Sequence, residues 1–313
     1  MSDSPGQAPV GAPVVGGGAG AHVARVPAPA LFVASGFAQY IGAGIAARVL
    51  FPEMAPEAVA WLRITAAALV LAAWRRPWRS RWGRRALAWT VAFGIVLCLM
   101  NVTFYVAIDN LPLGTAVAIE FIGPVAVAAI TGRSWRERAG IALAAPGVVL
   151  LAGVTLQGGA EDDVVLGLVA IGLAAVCWAG YILLGRRVAL SGDGVTRLAA
   201  GMAVGAVVLA PVLAPRATIG LGSWQLLVTV FGVAVLSSVI PYAVEQVVLG
   251  RVSAATFAVL LALLPATAAA SGAFLLRQWP HPLDVVGLVL VSGAIALTSR
   301  HRPEPVAEPD AGA

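Results

Sequence analysis

The sequence predicts an all-α integral membrane protein with ten transmembrane helices arranged as two inverted five-helix repeats. Three observations lead there: a composition too apolar for a single water-soluble core, ten long apolar runs, and a gapless match between the two halves of the chain. Of 313 residues, 60% are hydrophobic and 11% charged, so lipid is the solvent that this surface requires. A helix needs about 20 apolar residues to cross the hydrocarbon core. Runs of that kind occupy 29–48, 57–74, 87–108, 111–131, 136–156, 164–186, 195–214, 223–249, 252–276 and 281–299. They are continuous rather than alternating, which selects helices over a closed barrel, the other structure able to span a bilayer.

Charge orients the spans. The net charge is +5, every basic residue is Arg, and sixteen of the twenty Arg fall on one side of the predicted bundle. The loop "RRPWRSRWGRR" (75–85) holds six and "RSWRER" (133–138) three, with Arg186, Arg187 and Arg197 on the third such loop. The opposite loops carry Glu53, Glu57, Asp109, Glu161, Asp162, Asp163 and Asp284. An Arg bias in short loops places that side in the cytoplasm, with both chain termini. Clustered Arg is thus an orientation signal, and no nucleic-acid partner is expected.

Taken in order, span one brings Gln39 to mid-membrane and span two brings Arg63. Span three carries Asn101 and Tyr105, together with Cys98, which reads as a small packing residue. Span four holds the carboxylate of Glu120 four residues before Pro124. Proline has no N–H for the carbonyl one turn back, so one turn offers both a carboxylate and a freed backbone oxygen, an arrangement suited to an ammonium group or a proton. An ionised Glu at a helix centre costs on the order of 2.5–3.5 kcal/mol, so it faces either a polar cavity or a partner, and Arg63 is the candidate for a purely structural ion pair. Span six contributes Trp178 and Tyr181, readable as cavity lining or as packing aromatics, and also Cys177. Span eight contributes Ser237 and Ser238, which can also bond back to their own helix, with Pro241 repeating the proline device and Glu245 as a second acidic candidate nearer the cytoplasm. Pro265 does the same in span nine. Gly140, Gly287 and "GMAVG" (201–205) give small faces for helix contact, including that of a homodimer.

The halves align without gaps where "GTAVAIEFIGPVAV" (114–127) meets "ATFAVLLALLPATA" (255–268), an offset of 141 residues that sets Thr115 on Thr256 and Pro124 on Pro265. Five spans per half force the second half into the membrane upside down, which suits alternating access. Residues 1–28 lack a basic start and a central apolar run, so they read as a disordered cytoplasmic tail rather than a signal peptide, and 300–313 as a second tail. "GGGAG" in the first tail is no phosphate loop, because that motif needs a Lys and the chain has none. His22, His281 and His301 lie outside the spans, so neither a metal site, a cofactor nor a membrane enzyme is expected.

"LPLGTAVAIEFIGPVAVA", "CWAGYILLGRR", "RVLFPEMAPEAVAWLR" and "PYAVEQVVLGRVSAATFAVLLALLPA" together resemble the EamA family of the drug/metabolite transporter superfamily, and within it the threonine/homoserine exporter type. The similarity runs over most of residues 30–300, and the exporter type's "EP" in span nine is replaced by "LLP" at 263–265. The resemblance implies two EamA-like halves, 29–156 and 164–299, in a bacterial-type inner membrane. It implies a secondary exporter of small polar metabolites, amino acids of the threonine/homoserine kind, driven by proton antiport. Glu120 would bind ammonium or proton, and Arg63 would meet the solute carboxylate or hold Glu120 when the site is empty. A multidrug exporter of the same fold and a facilitative channel are the alternatives.

Overall fold

The computed structural model describes residues 26–80, 82–131, 135–158, 161–189, 194–249 and 260–298. The tail residues 1–25 and 300–313, the stretch 251–259 that aligns with the start of span four, and the side chain of Glu245 lie outside the described residues. Among those described there are helices and turns and no strand, and eight helices are long and apolar enough to cross a membrane. Two further apolar helices, Leu264–Leu276 and Pro282–Leu297, are shorter.

The elements are α1 (Ala28–Ile45), running into a π-type turn at Ala46–Leu50, α2 (Pro56–Arg75), α3 (Arg84–Asn110), α4 (Leu113–Glu120) and α5 (Ile122–Thr131). They continue as α6 (Trp135–Gly158), α7 (Glu161–Ala189), α8 (Gly194–Leu213) and the short α9 (Thr218–Gly222). Last come α10 (Trp224–Ala234), a second π-type turn at Val235–Val239, α11 (Ile240–Leu249), α12 (Leu264–Leu276) and α13 (Pro282–Thr298). Pro56 and Pro282 each open a helix, where a missing N–H leaves no intrahelical bond unmade. Leu111 and Pro112 alone connect α3 to α4, so these helices turn back sharply on each other.

Span four is broken where its sequence says it should be. α4 ends at Glu120, Phe121 forms the joint, and α5 resumes with Pro124 in its first turn. All eight residues of α4 are buried, which makes it the central strut of the bundle. Helix contacts run largely between the first and second parts of the chain: α3 packs on α7 and α8, α2 on α8 and α10, α1 on α11 and α12, α4 and α5 on α7, α4 on α12, and α6 on α13.

Several of these crossings are backbone against backbone. A Cβ placed on Gly94 of α3 would sit 2.1 Å from the carbonyl oxygen of Gly201 in α8, and one on Gly205 would sit 2.2 Å from the oxygen of Gly94. A Cβ on Gly123 of α5 would sit 2.2 Å from the Ala175 oxygen of α7. Only glycine allows helices to approach this closely. The long exposed side chains, among them Val149, Val169, Val176, Val207 and Phe274, cover the outer face, as a lipid-facing surface requires.

Candidate functional site

Pro124, Pro241 and the broken helices that carry them converge on one cavity of about 430 Å³, within the range of small-molecule sites. α1 contributes Gln39 and Tyr40, α2 Arg63, and α3 Asn101, Phe104 and Tyr105. The joint between α4 and α5 contributes Glu120, Phe121 and Pro124, α7 contributes Trp178 and Tyr181, and the bend between α10 and α11 contributes Ser237, Pro241 and Tyr242. Every lining residue expected from the sequence therefore meets in this space. Pro265 does not, although its neighbours Leu261 and Leu264 do. Ala128, Ile182 and Ile295 carry the cavity toward the end of the bundle where the described chain begins and finishes.

Glu120 and Arg63 are the two charged residues of the lining, 8% and 4% exposed. Among the described residues they form no ion pair; the one recorded joins Glu57 to Arg216. Arg63 instead spends its donors on neutral oxygens. Nη1 donates to Ser238 Oγ at 3.0 Å and to the Ser237 carbonyl at 3.5 Å, and Nη2 donates to Asn101 Oδ1. Asn101 presents that oxygen because its amide nitrogen is tied to the Leu97 carbonyl one turn back, at 2.8 Å. The Tyr105 ring lies 4.7 Å beneath the guanidinium carbon, a cation–π contact. Arg63 Nε is buried without a partner. The purely structural ion pair is thus not what holds Glu120 here; a carboxylate and a guanidinium face one cavity without a direct ion pair between them.

The serines do not simply bond back to their own helix. The Ser237 hydroxyl crosses to α1 and donates to the Gln39 carbonyl at 2.9 Å, and Ser238 accepts from Arg63. Pro241, next to the π-type turn, has no N–H to compete for the Ser237 carbonyl that Arg63 reaches. Aromatic pairs fix the walls: Phe121 meets Trp178 at 4.6 Å, and Phe93 meets Tyr181 at 4.9 Å. Tyr40, Phe104 and Tyr242 were not expected. A signal existed, since the chain has only four Tyr and all four line this cavity. Tyr40 and Tyr181 are separated by the same 141 residues as the internal sequence match.

The opposite end is shut. Leu50, Met54, Leu111, Leu213 and Ala217 are buried there, and Phe51 packs edge-on against Tyr105 at 5.6 Å. Three polar ties cross the same end: Arg216 Nη1 to Glu57 at 2.6 Å, the Leu113 N–H to Gln278 Oε1 at 3.0 Å, and Arg48 Nη1 to the Leu275 carbonyl at 2.9 Å.

A multi-pass helical bundle around a closed-ended cavity of opposite charges has the build of a membrane transporter. The chain belongs to the EamA-like transporter family, whose model matches residues 165–300. It is 34% identical over 261 residues to the threonine/homoserine exporter RhtA of Salmonella typhimurium (strain LT2), covering 82% of this chain and 88% of that protein. The exporter RhtA of Escherichia coli (strain K12) is 32% identical over 277 residues, covering 88% of this chain and 93% of the other. One solved crystal structure superposes with a TM-score of 0.54 over 86% of this chain and 96% of its own, at 16% identity, a likeness of fold alone. The relatives are transporters, and so is this chain; it is not an enzyme.

Proposed function

We propose that the protein exports small zwitterionic amino acids of the threonine/homoserine kind across a bacterial inner membrane, by proton antiport with alternating access. The observation that carries this reading is the unpaired couple of Glu120 and Arg63 on one cavity: a zwitterion brings an ammonium for the first and a carboxylate for the second. The relatives named as threonine/homoserine exporters support the substrate class. Glu120 holds either the ammonium or a proton, and that exclusion couples the two fluxes. The freed backbone at the α4–α5 joint adds a second negative oxygen beside it.

Alternating access draws support from the packing. Taking 29–156 and 164–299 as the two halves, with the described segments as ten spans, the contact of α3 with α7 has its mate in that of α10–α11 with α1, and the contact of α1 with α12 has its mate in that of α7 with α4–α5. The contacts of α2 with α8, α4 with α12, and α6 with α13 are their own mates. Mated contacts of this kind are what a two-fold relation between the halves produces, and with five spans in each half they support the inverted-repeat reading. In this reading the termini are cytoplasmic, the cavity faces the cytoplasm, and the ties at Glu57–Arg216 and Leu113–Gln278 close the outer gate.

A second reading is favoured by the walls. Four Tyr with Phe104, Phe121 and Trp178 suit a solute with a larger apolar body, as a multidrug exporter would take. Reconstituted vesicles loaded with unlabelled threonine, homoserine or a hydrophobic cation separate the two. The amino-acid reading expects labelled threonine to exchange and a pH difference to drive it. Exchange of the cation alone, or threonine flux indifferent to the pH difference, overturns the amino-acid antiport.

A further inference from the structure

Arg63 is held by groups from both parts of the chain. Asn101 of α3 fixes one nitrogen, and the π-type turn between α10 and α11 fixes the other through the Ser237 carbonyl and the Ser238 hydroxyl. Ser238 is 2% exposed and stands behind the guanidinium, outside the cavity lining. A solute in the cavity touches Arg63 and not Ser238.

We propose that Ser238 is a positioning residue for solute recognition: accepting from Arg63 Nη1, it aims the guanidinium at the solute carboxylate, and it makes that anchor depend on the packing of α2 against the α10–α11 bend. The inference rests on the amino-acid reading above and adds to it where the anchor is controlled. The acceptors are all neutral, so the guanidinium keeps its charge for the solute; an aspartate in their place would neutralise it. The clamp is also short-ranged. A state in which the α10–α11 bend withdraws from α2 loses both serine acceptors together, and the released guanidinium can then turn toward Glu120. The carboxylate site is complete only in the packing seen here, so affinity falls as that packing is left, which is what discharge on the far side requires.

The test compares threonine with threoninamide, which keeps the ammonium and lacks the carboxylate, in wild type, Ser238→Ala and Ser238→Thr. Two readouts are taken: KM and kcat in vesicles, and the rise in Tm that each compound gives the purified protein. A hydrogen bond to a charged group is lost in Ser238→Ala, so KM for threonine is expected to rise about tenfold. KM for threoninamide stays put, the Tm advantage of threonine over threoninamide disappears, and Ser238→Thr, which keeps the hydroxyl, restores both. A merely structural serine would shift the two compounds alike. Equal shifts, or undiminished discrimination in Ser238→Ala, overturn the clamp while the export reading stands. A wild type that neither transports nor is stabilised by either compound overturns the export reading and the clamp with it.

Discussion

Replacing Glu120 by Gln keeps the size and shape of the side chain and removes one charge. The cavity is lined by one carboxylate and one guanidinium, so its formal charge changes from balanced to positive while the carboxylate anchor at Arg63 stays in place. The solute ammonium then loses a charge-assisted hydrogen bond of about 1.5–3 kcal/mol, equal to roughly ten- to a hundredfold in KM. It also meets the field of Arg63 uncompensated. A hydroxy acid of similar size, which has no ammonium, should bind Glu120→Gln at least as well as it binds wild type. Coupling should go with the carboxylate, because an amide has no proton to exchange. The assay is uptake of labelled threonine into proteoliposomes with and without an imposed pH difference. Wild type is expected to concentrate threonine when the difference is applied, and Glu120→Gln only to equilibrate it. Accumulation by the variant to the wild-type level, with the same response to pH, would refute the reasoning.

The remaining predictions concern the frame around the cavity. With Cys98 and Cys177 first replaced by Ala, joining Glu57→Cys to Arg216→Cys with a bifunctional thiol reagent is expected to stop transport, and cleaving the linker to restore it; full transport in the linked protein would exclude a gate at this end. The ion pair itself lies at the surface, with side chains 59% and 19% exposed, so Glu57→Gln alone should change unfolding free energy by less than about 1 kcal/mol. Gly123→Ala should lower stability by about 1–3 kcal/mol, because its Cβ would meet the Ala175 oxygen at 2.2 Å and push α5 from α7 three residues from Glu120. Gly153→Ala has nothing within 4 Å and should leave Tm unchanged or raise it slightly; thermal melts in detergent that rank the two alike would count against the close approach.

The sequence made the broken span readable because its signals are local. A carboxylate in an apolar run and a proline four residues on are both visible in "EFIGP" (120–124), and α4 stops at Glu120. Depth was readable too, since counting residues along a helix gives height in the membrane, and Gln39, Asn101, Tyr105, Trp178, Tyr181 and Ser237 all stand at the level of the cavity. Direction around the helix axis was not. Nothing in the order of residues says that Arg63 faces Ser238 and Asn101 rather than Glu120. That choice depends on how α2, α3 and the α10–α11 bend pack, 38 to 175 residues apart in the chain. Tyr40 and Tyr242 stand beside Gln39 and Pro241, and the signal that marks them in the sequence is the scarcity of Tyr. Nor did the sequence foretell the π-type turn at Val235–Val239, since no residue type demands one.

The place where Gly94 lies against Gly201 and Gly205 has a mechanical meaning of its own. Between ordinary helices, tilting means that interlocked side chains must leave one set of notches and find another, and the protein settles into a few fixed inclinations. Here the peptide groups touch directly, with the Phe93 ring against Gly201 and the Cys98 Cβ against Gly205, so the backbone itself sets the spacing of α3 and α8, and a bulkier residue at Gly94 would wedge the two rods apart.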